Sequence, residues 1–390
     1  MKLLEINVCS GCKSTGRIAS DIAKEFIAKG DNDAVIAYGR GYVDSGIKTY
    51  KICSQNEVRF DALKTRVFDN AGFNNKKATE RFIDWVRTYD PDIIHLHNIH
   101  GYYINVEVLF NYLRTCNKKI IWTLHDCWAF TGHCAHFDYI GCEKWKDKCY
   151  DCPQKKEYPA SWVFDSSTVN YERKKALFTG IPNMLIVTPS RWLIELVEES
   201  FLNEYPKYLI HNGIDLEAFH NTPSDLRERY GLNDKRIILG VASKWSARKG
   251  LDDFIKLSDL ILEEFQIVLI GLNEKQIQKC PPNVLGIRGT NSRKELTAWY
   301  STADVFVNAT YEDNYPTVNL EAQACGTPVI TYQTGGSVES VPEDYVVEQG
   351  DVQGLYEKIK FVVGEKEHRV IPPRGKEDVC NEYMGLLEDV

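Results

Sequence analysis

"YEDNYPTVNLEAQACGTPVI", residues 311–330, holds the signals that decide the fold. The β-branched run "DVFVNAT" (304–310) leads into it, and "PVITY" (328–332) overlaps its end. Both read as buried strands. Between them stand two acids, Glu312 and Asp313, and then Pro316. Proline suits the first position of a helix, where its missing N–H costs nothing. The expected helix carries Glu321 and closes at Gly326. Strand, helix and strand in this order make a parallel βαβ unit. Its helix start offers free N–H groups to an anion. Glu321, about one turn in, is suited to accept hydrogen bonds from paired sugar or ribose hydroxyls.

The same alternation extends in both directions. Upstream, "RIILGVAS" (236–243), "QIVLIG" (266–271) and "VLGIRG" (284–289) read as strands, with helices expected near 251–264 and 292–301. Further upstream a separate series runs through "KLLEINV" (2–8), "DAVIAYG" (33–39), "DIIHLHN" (92–98), "IIWTLHD" (120–126) and "MLIVTPS" (184–190). Near-continuous apolar strands fit sheets covered on both faces. The fold class is α/β, with two doubly wound Rossmann-like domains. The expected boundaries are 1–206 and 207–374, with 375–390 returning to the first domain as a helix. Ligands of such sheets bind beyond the carboxyl ends of the strands, so a cleft between facing domains is the expected substrate site.

At 390 residues, two domains are the natural reading. A formal net charge of −8 speaks against a nucleic-acid partner. The acid excess lies in the C-terminal half, and the N-terminal half is nearly neutral and slightly basic. No apolar run is long enough to cross a bilayer. "MKLLEINVCSG" reads as a first strand rather than a signal peptide, so a cytoplasmic chain is expected, with the inner face of the membrane as an alternative site.

Basic and glycine-rich motifs complete the pattern. "VASKWSARKG" (241–250) sets Lys244 five residues before Lys249, with Arg248 beside it. "TGGSVES" (334–340) holds Gly335 and Gly336, which let backbone approach a ligand. "HNGID" (211–215) reads as an Asn-Gly turn. "SGCKSTGRIASDIAKEF" (10–26) places Gly16 in a small-residue loop after the first strand; Cys12 before Lys13 rules out a P-loop. "WTLHDCW" (122–128) ends a strand on His125 and Asp126. "HLHNIHG" brings His95, His97 and His100 close in sequence; these read as strand-end and loop residues rather than a metal triad.

This ordered set, with acid-x7-Glu from Asp313 to Glu321 followed by "EAQACGTPVI", resembles the family 4 retaining glycosyltransferases of GT-B fold. The resemblance covers most of the chain. It implies an enzyme moving a sugar from a nucleotide-diphosphate donor to a glycan or lipid-linked acceptor, with retention and without a catalytic metal. It implies catalytic roles for His125, Asp313 and Lys249. It also implies donor contacts from Gly16, Lys244, Arg248, Lys249, Asn314, Pro316, Thr317, Glu321, Gly335 and Gly336. "HNGID" would then be the family's interdomain turn. A nucleotide-sugar epimerase or hydrolase on the same scaffold is the alternative enzyme. A zinc-dependent interaction protein on an inactive scaffold is the alternative of another class.

One segment stands apart. "CAHFDYIGCEKWKDKCYDC" (134–152) holds Cys134, Cys142, Cys149 and Cys152 in a long loop after the strand bearing His125. Four thiolates would make a structural zinc site, with His133, His136 and Cys127 as spare ligands. Packed free thiols and disulfides are the other readings, the last disfavoured in a cytosolic setting.

Overall fold

The computed structural model describes residues 1–41, 46–290 and 292–388. It divides into two compact units, Met1–His211 with Glu377–Val390, and Asn212–Lys376. The last two residues of the expected C-terminal helix lie outside the described residues.

The first unit is built on a seven-stranded parallel sheet. Its strands are β1 (Lys2–Asn7), β2 (Asp33–Tyr38), β3 (Lys48–Lys51), β4 (Ile93–Leu96), β5 (Lys119–Thr123), β6 (Met184–Thr188) and β7 (Lys207–Leu209), in the order β3-β2-β1-β4-β5-β6-β7. The inner strands are almost wholly buried, which is why their sequences read as unbroken apolar runs. The strand order reverses between β1 and β4, and the carboxyl ends there carry the polar groups described below.

The expected boundary after residue 206 is displaced. Residues 207–209 pair with Ile186–Thr188 of β6, so this strand closes the first sheet rather than opening the second. The helix Lys376–Glu388 packs on the first unit through Tyr383, Met384 and Leu387, each at most 2% exposed, against Leu3, Ile22 and Phe26. Each such side chain contributes about 1.5–3 kcal/mol by leaving water.

The second unit holds β8 (Arg236–Val241), β9 (Phe265–Ile270), β10 (Val284–Ile287), β11 (Val305–Asn308), β12 (Val329–Tyr332) and β13 (Val346–Val347), all parallel, in the order β10-β9-β8-β11-β12-β13. Here the order reverses between β8 and β11. The loops after these two strands therefore meet at the switch point.

Two local expectations change. Gly16 lies inside the helix Lys13–Ala28 rather than in a loop before it. A Cβ there would sit 2.9 Å from Cys9 Sγ and 3.1 Å from Cys9 O, so the glycine is needed for close packing of helix on strand end. Pro316 is the residue before the helix Thr317–Ala324, with φ −70° and ψ 119°, not its first helical residue.

Candidate active site

In the second unit the candidate site grows from the loops after β8 and β11. Gly250 takes φ +72°, and a Cβ there would meet Ala309 O at 2.0 Å, so only glycine lets the two loops touch. Tyr311 N donates to Arg248 O at 2.8 Å and fixes that contact. The consequence is a cation–acid pairing. Lys249 Nζ donates to Asp313 Oδ2 at 2.5 Å and to Thr310 Oγ1 at 3.3 Å. Arg248 Nη1 donates to Glu312 O at 3.0 Å, and its Nε stands 3.9 Å from the buried Glu312 carboxylate. The two adjacent acids thus engage different cations. Lys244 stands exposed earlier in the same loop.

Glu321 is buried on the helix Thr317–Ala324, and Tyr300 OH donates to its Oε2 at 3.0 Å. Tyr300 is wholly buried, and burial followed by the Glu321 charge pushes its hydroxyl well up, so it stays a donor. Asn319 Oδ1 accepts from Asn308 Nδ2 at 2.9 Å, and its amide donates to Ser337 and Ser340 at 3.2 and 2.9 Å. These bonds tie the helix to β11 and to the turn Gly335–Ser340 that bears Gly335 and Gly336. Asn212 of the "HNGID" turn donates to Tyr315 O at 3.0 Å, one residue before Pro316.

The first unit carries a buried polar chain of its own. Glu5 of β1 is 0% exposed and accepts from His95 Nδ1 at 3.1 Å and His97 Nε2 at 2.7 Å. Burial would push the Glu5 carboxyl up, but the attraction and hydrogen bonds of both imidazoles outweigh it and bring it to about 2. Burial, helped by His95, pushes His97 down to about 4. His97 is therefore neutral at pH 7, with its one proton on Nε2 toward Glu5. Its bare Nδ1 lies 3.1 Å from His125 Nε2, so His125 donates there. His125 is itself pushed to about 3 by burial and by His97, so it too is neutral and its Nδ1 carries the lone pair. On the other side His95 Nε2 faces Thr123 Oγ1 at 2.8 Å, which meets Tyr383 OH at 3.2 Å.

The three histidines of "HLHNIHG" are split. His100 faces Asp126 instead, with Nε2 2.8 Å from Oδ2 and Nδ1 3.0 Å from Tyr158 OH. Burial alone would raise the Asp126 carboxyl; His100 and the Trp128 N–H bring it well below the usual range. Glu5 was not singled out in the sequence, although one acid in the apolar run "KLLEINV" is a signal of a buried, partnered charge.

The four cysteines of the loop come near enough to interact, Cys134 with Cys152 and Cys149, and Cys149 with Cys142. Among the described residues, Glu5, His95 and His97 form the group of three candidate ligands whose atoms all lie within 4.8 Å of one another; Cys134, Cys142, Cys149 and Cys152 form none. All twelve cysteines are free thiols. Cys134 and Cys152 hydrogen-bond each other, and Cys149 Sγ accepts from Gly132 N at 3.2 Å. Other groups hold the loop. The buried Asp69 accepts from His133 Nδ1 and, at 2.8 Å, from Ser166 N. Lys174 is 1% exposed, donates to Trp128 O and Thr131 O at 2.8 and 3.0 Å, and lies 3.4 Å over the Trp128 ring. Burial pushes its ammonium down to about 7. Phe130, Phe137 and Trp145 cluster beneath the segment.

Residues 224–373, within the unit that carries Lys249, Asp313 and Glu321, match the family described as Glycosyl transferases group 1. The fold is that of the GT-B glycosyltransferases. The chain is 26% identical over 364 residues to the colanic acid biosynthesis glycosyl transferase WcaC of Escherichia coli (strain K12), covering 87% of this chain and 85% of that one. It is 27% identical over 194 residues to the capsular polysaccharide biosynthesis glycosyltransferase CapM of Staphylococcus aureus, 45% of this chain and 50% of that one. In fold it is similar to a glycosyltransferase from Rickettsia africae, with TM-score 0.69 and 15% identity, covering 100% and 98% of the two chains. It is similar also to HepE of Anabaena, solved in complex with UDP, with TM-score 0.68, 14% identity and 100% of both chains covered. No described helix is long and apolar enough to cross a membrane.

Proposed function

We propose that the enzyme transfers a sugar, with retention, from a nucleotide-diphosphate donor to a hydroxyl of a glycan or lipid-linked acceptor in surface polysaccharide biosynthesis. The reaction would run in the cytoplasm, at the inner face of the membrane. The observation that carries the reading is the pairing of Lys249 with Asp313 at the loop contact between β8 and β11, with Glu321 on the helix that follows.

The chemistry follows from the residues. As the bond from the anomeric carbon to the diphosphate oxygen breaks, negative charge collects on the leaving phosphate. Lys249, Arg248 and Lys244 stabilise that charge, together with the N–H of Thr317 at the helix start and the turn at Gly335 and Gly336. Cations already fixed in the protein supply what a divalent metal would supply elsewhere. Asp313 orients Lys249. Glu321, held by Tyr300, accepts from the donor ribose hydroxyls. His125, kept neutral, accepts a hydrogen bond from a sugar hydroxyl through its lone pair. The acceptor hydroxyl bonds to the anomeric carbon on the departing face and passes its proton to the leaving phosphate. WcaC and CapM, both named for polysaccharide biosynthesis, support the pathway assignment. The UDP complex of HepE supports a nucleotide donor.

The test is proton NMR of the product sugar during turnover of each nucleotide sugar. Retention supports the reading and inversion rejects it. Epimerised nucleotide sugar, or free sugar formed equally fast with and without acceptor, would favour the epimerase or hydrolase alternative.

A further inference from the structure

The first unit exposes large apolar side chains that its core does not use. On the helix Gln55–Phe68, Phe60, Leu63 and Phe68 are 60%, 52% and 51% exposed. They lie at i, i+3 and i+8, on one face. Beside them the loop residues Trp162, Val163 and Phe164 are 65%, 55% and 53% exposed. The two groups form one surface. Trp162 N donates to Arg66 O at 2.6 Å, Phe164 N donates to Val67 O at 3.1 Å, and the Phe68 and Phe164 rings stack at 5.9 Å. Ser161 Oγ donates to Phe164 O at 2.7 Å, and Lys155 Nζ to Val163 O at 3.2 Å. The loop is thus pinned with its apolar side chains turned out.

The charge on this surface has one dominant sign. Arg59 and Lys64 share the outer face of the helix, Lys64 Nζ lies 4.9 Å from the Phe60 ring and the Arg66 guanidinium 5.4 Å from the Trp162 ring. The acids of the helix are used elsewhere. Glu57 caps its start and pairs with Arg81, and Asp61 is buried against Asn74 and Asn75. Asp165, next to Phe164, accepts from the N–H groups of Cys152 and Ser167. A contiguous apolar patch of this kind is uncommon on a surface that faces only water. Aromatic rings set among Lys and Arg match the interfacial zone of a bilayer carrying anionic headgroups.

We infer that the face made by the helix Gln55–Phe68 and residues 162–164 docks on an anionic lipid surface. The same loop leads directly to the site. Tyr158, four residues before Trp162, places its hydroxyl 3.0 Å from His100 Nδ1, and His100 holds Asp126 beside His125. Docking would bring these groups to the plane where the hydroxyl of a lipid-linked acceptor is presented, a purpose that rests on the transferase reading above.

The test is co-sedimentation of the full chain with vesicles of phosphatidylcholine, alone or mixed with phosphatidylglycerol. Binding is expected only to the mixed vesicles and is expected to weaken with salt. Trp162→Ser with Phe164→Ser should weaken it about tenfold or more, and so should Lys64→Glu, which lies wholly at the surface. Nucleotide-sugar affinity and melting temperature should stay unchanged in both variants. Absence of wild-type binding, equal binding to neutral vesicles, or variants that bind like wild type would overturn the inference. So would sedimentation velocity showing that the wild type self-associates through this face and the variants do not. Vesicle binding without nucleotide-sugar binding would retain the surface and reject the transferase reading; the reverse pattern would reject the surface alone.

Discussion

His97 Nδ1 and His125 Nε2 stand 3.1 Å apart, and Glu5 decides which of them donates. The Glu5 carboxylate takes the Nε2 proton of His97 at 2.7 Å, so His97 can only accept from His125. The tautomer of His125 is thus set from β1, two strands away in the sheet. His97→Phe removes the acceptor and frees the ring. We expect kcat to fall about 10- to 100-fold, as for other partners that orient a functional histidine, while donor KM changes little. An unchanged kcat would show that the tautomer does not matter.

The pH dependence of stability follows from the same chain. His97 and His125 ionise in the fold at about 4 and 3, below the ordinary value of 6.5. A lowered value means that the unfolded chain binds more protons in the interval between. Their contribution is complete above pH 6.5 and is lost as pH falls toward 4. Glu5, lowered from 4.5 to about 2, loses its contribution only at still lower pH. Urea unfolding of the wild type should therefore show a decline from pH 6.5 to 4, which His97→Phe should reduce.

The Lys249–Asp313 pair makes a separate prediction. Lys249→Met removes a fixed cation from the developing phosphate charge and should lower kcat/KM about 100- to 1,000-fold. Asp313→Asn leaves the cation but loosens its position, and should cost less. Steady-state kinetics on both variants check the order.

Glu321→Gln keeps the shape but weakens acceptance from ribose hydroxyls and from Tyr300, so donor affinity or turnover should fall at least about tenfold. Near-wild-type transfer would reject the role. Tyr300→Phe should show a smaller loss in the same parameter.

The loop 127–165 is held by Asp69 and Lys174, so a chelator should leave the melting temperature unchanged. Asp69→Asn should destabilise the fold by about 2–4 kcal/mol, because it weakens a buried polar hub. Stoichiometric zinc in the purified protein, or melting after chelation, would contradict this account.

Much of the sheet architecture was legible because a strand covered on both faces has little choice but to be apolar, as in Ile93–Leu96 and Phe265–Ile270. The edge strand Lys48–Lys51, "KTYK", has no such pattern because only part of it is buried. Residues 207–209 carry no mark of which sheet they join; pairing with β6 is a long-range event. In the second unit, Lys249, Asp313 and Glu321 were readable because one βαβ unit and one preceding loop place them. In the first unit Glu5, Asp69 and Lys174 were not, because their partners lie 92, 64 and 46 residues away. The cysteine spacing suggested a metal, but spacing along a loop does not set the distances between the sulfurs. Only the folded path of the loop decides that.

The proposed function requires the loops after β8 and β11 to bind a nucleotide-sugar diphosphate through Lys249. A thermal-shift panel of UDP-, GDP-, ADP- and dTDP-sugars tests it most directly. At ligand near 100 times Kd, stabilisation should reach about 2.7 kcal/mol. At least one donor is expected to raise the melting temperature of the wild type and to fail to raise that of Lys249→Met. A panel in which no donor shifts the wild type, or in which the variant shifts as much, would contradict it.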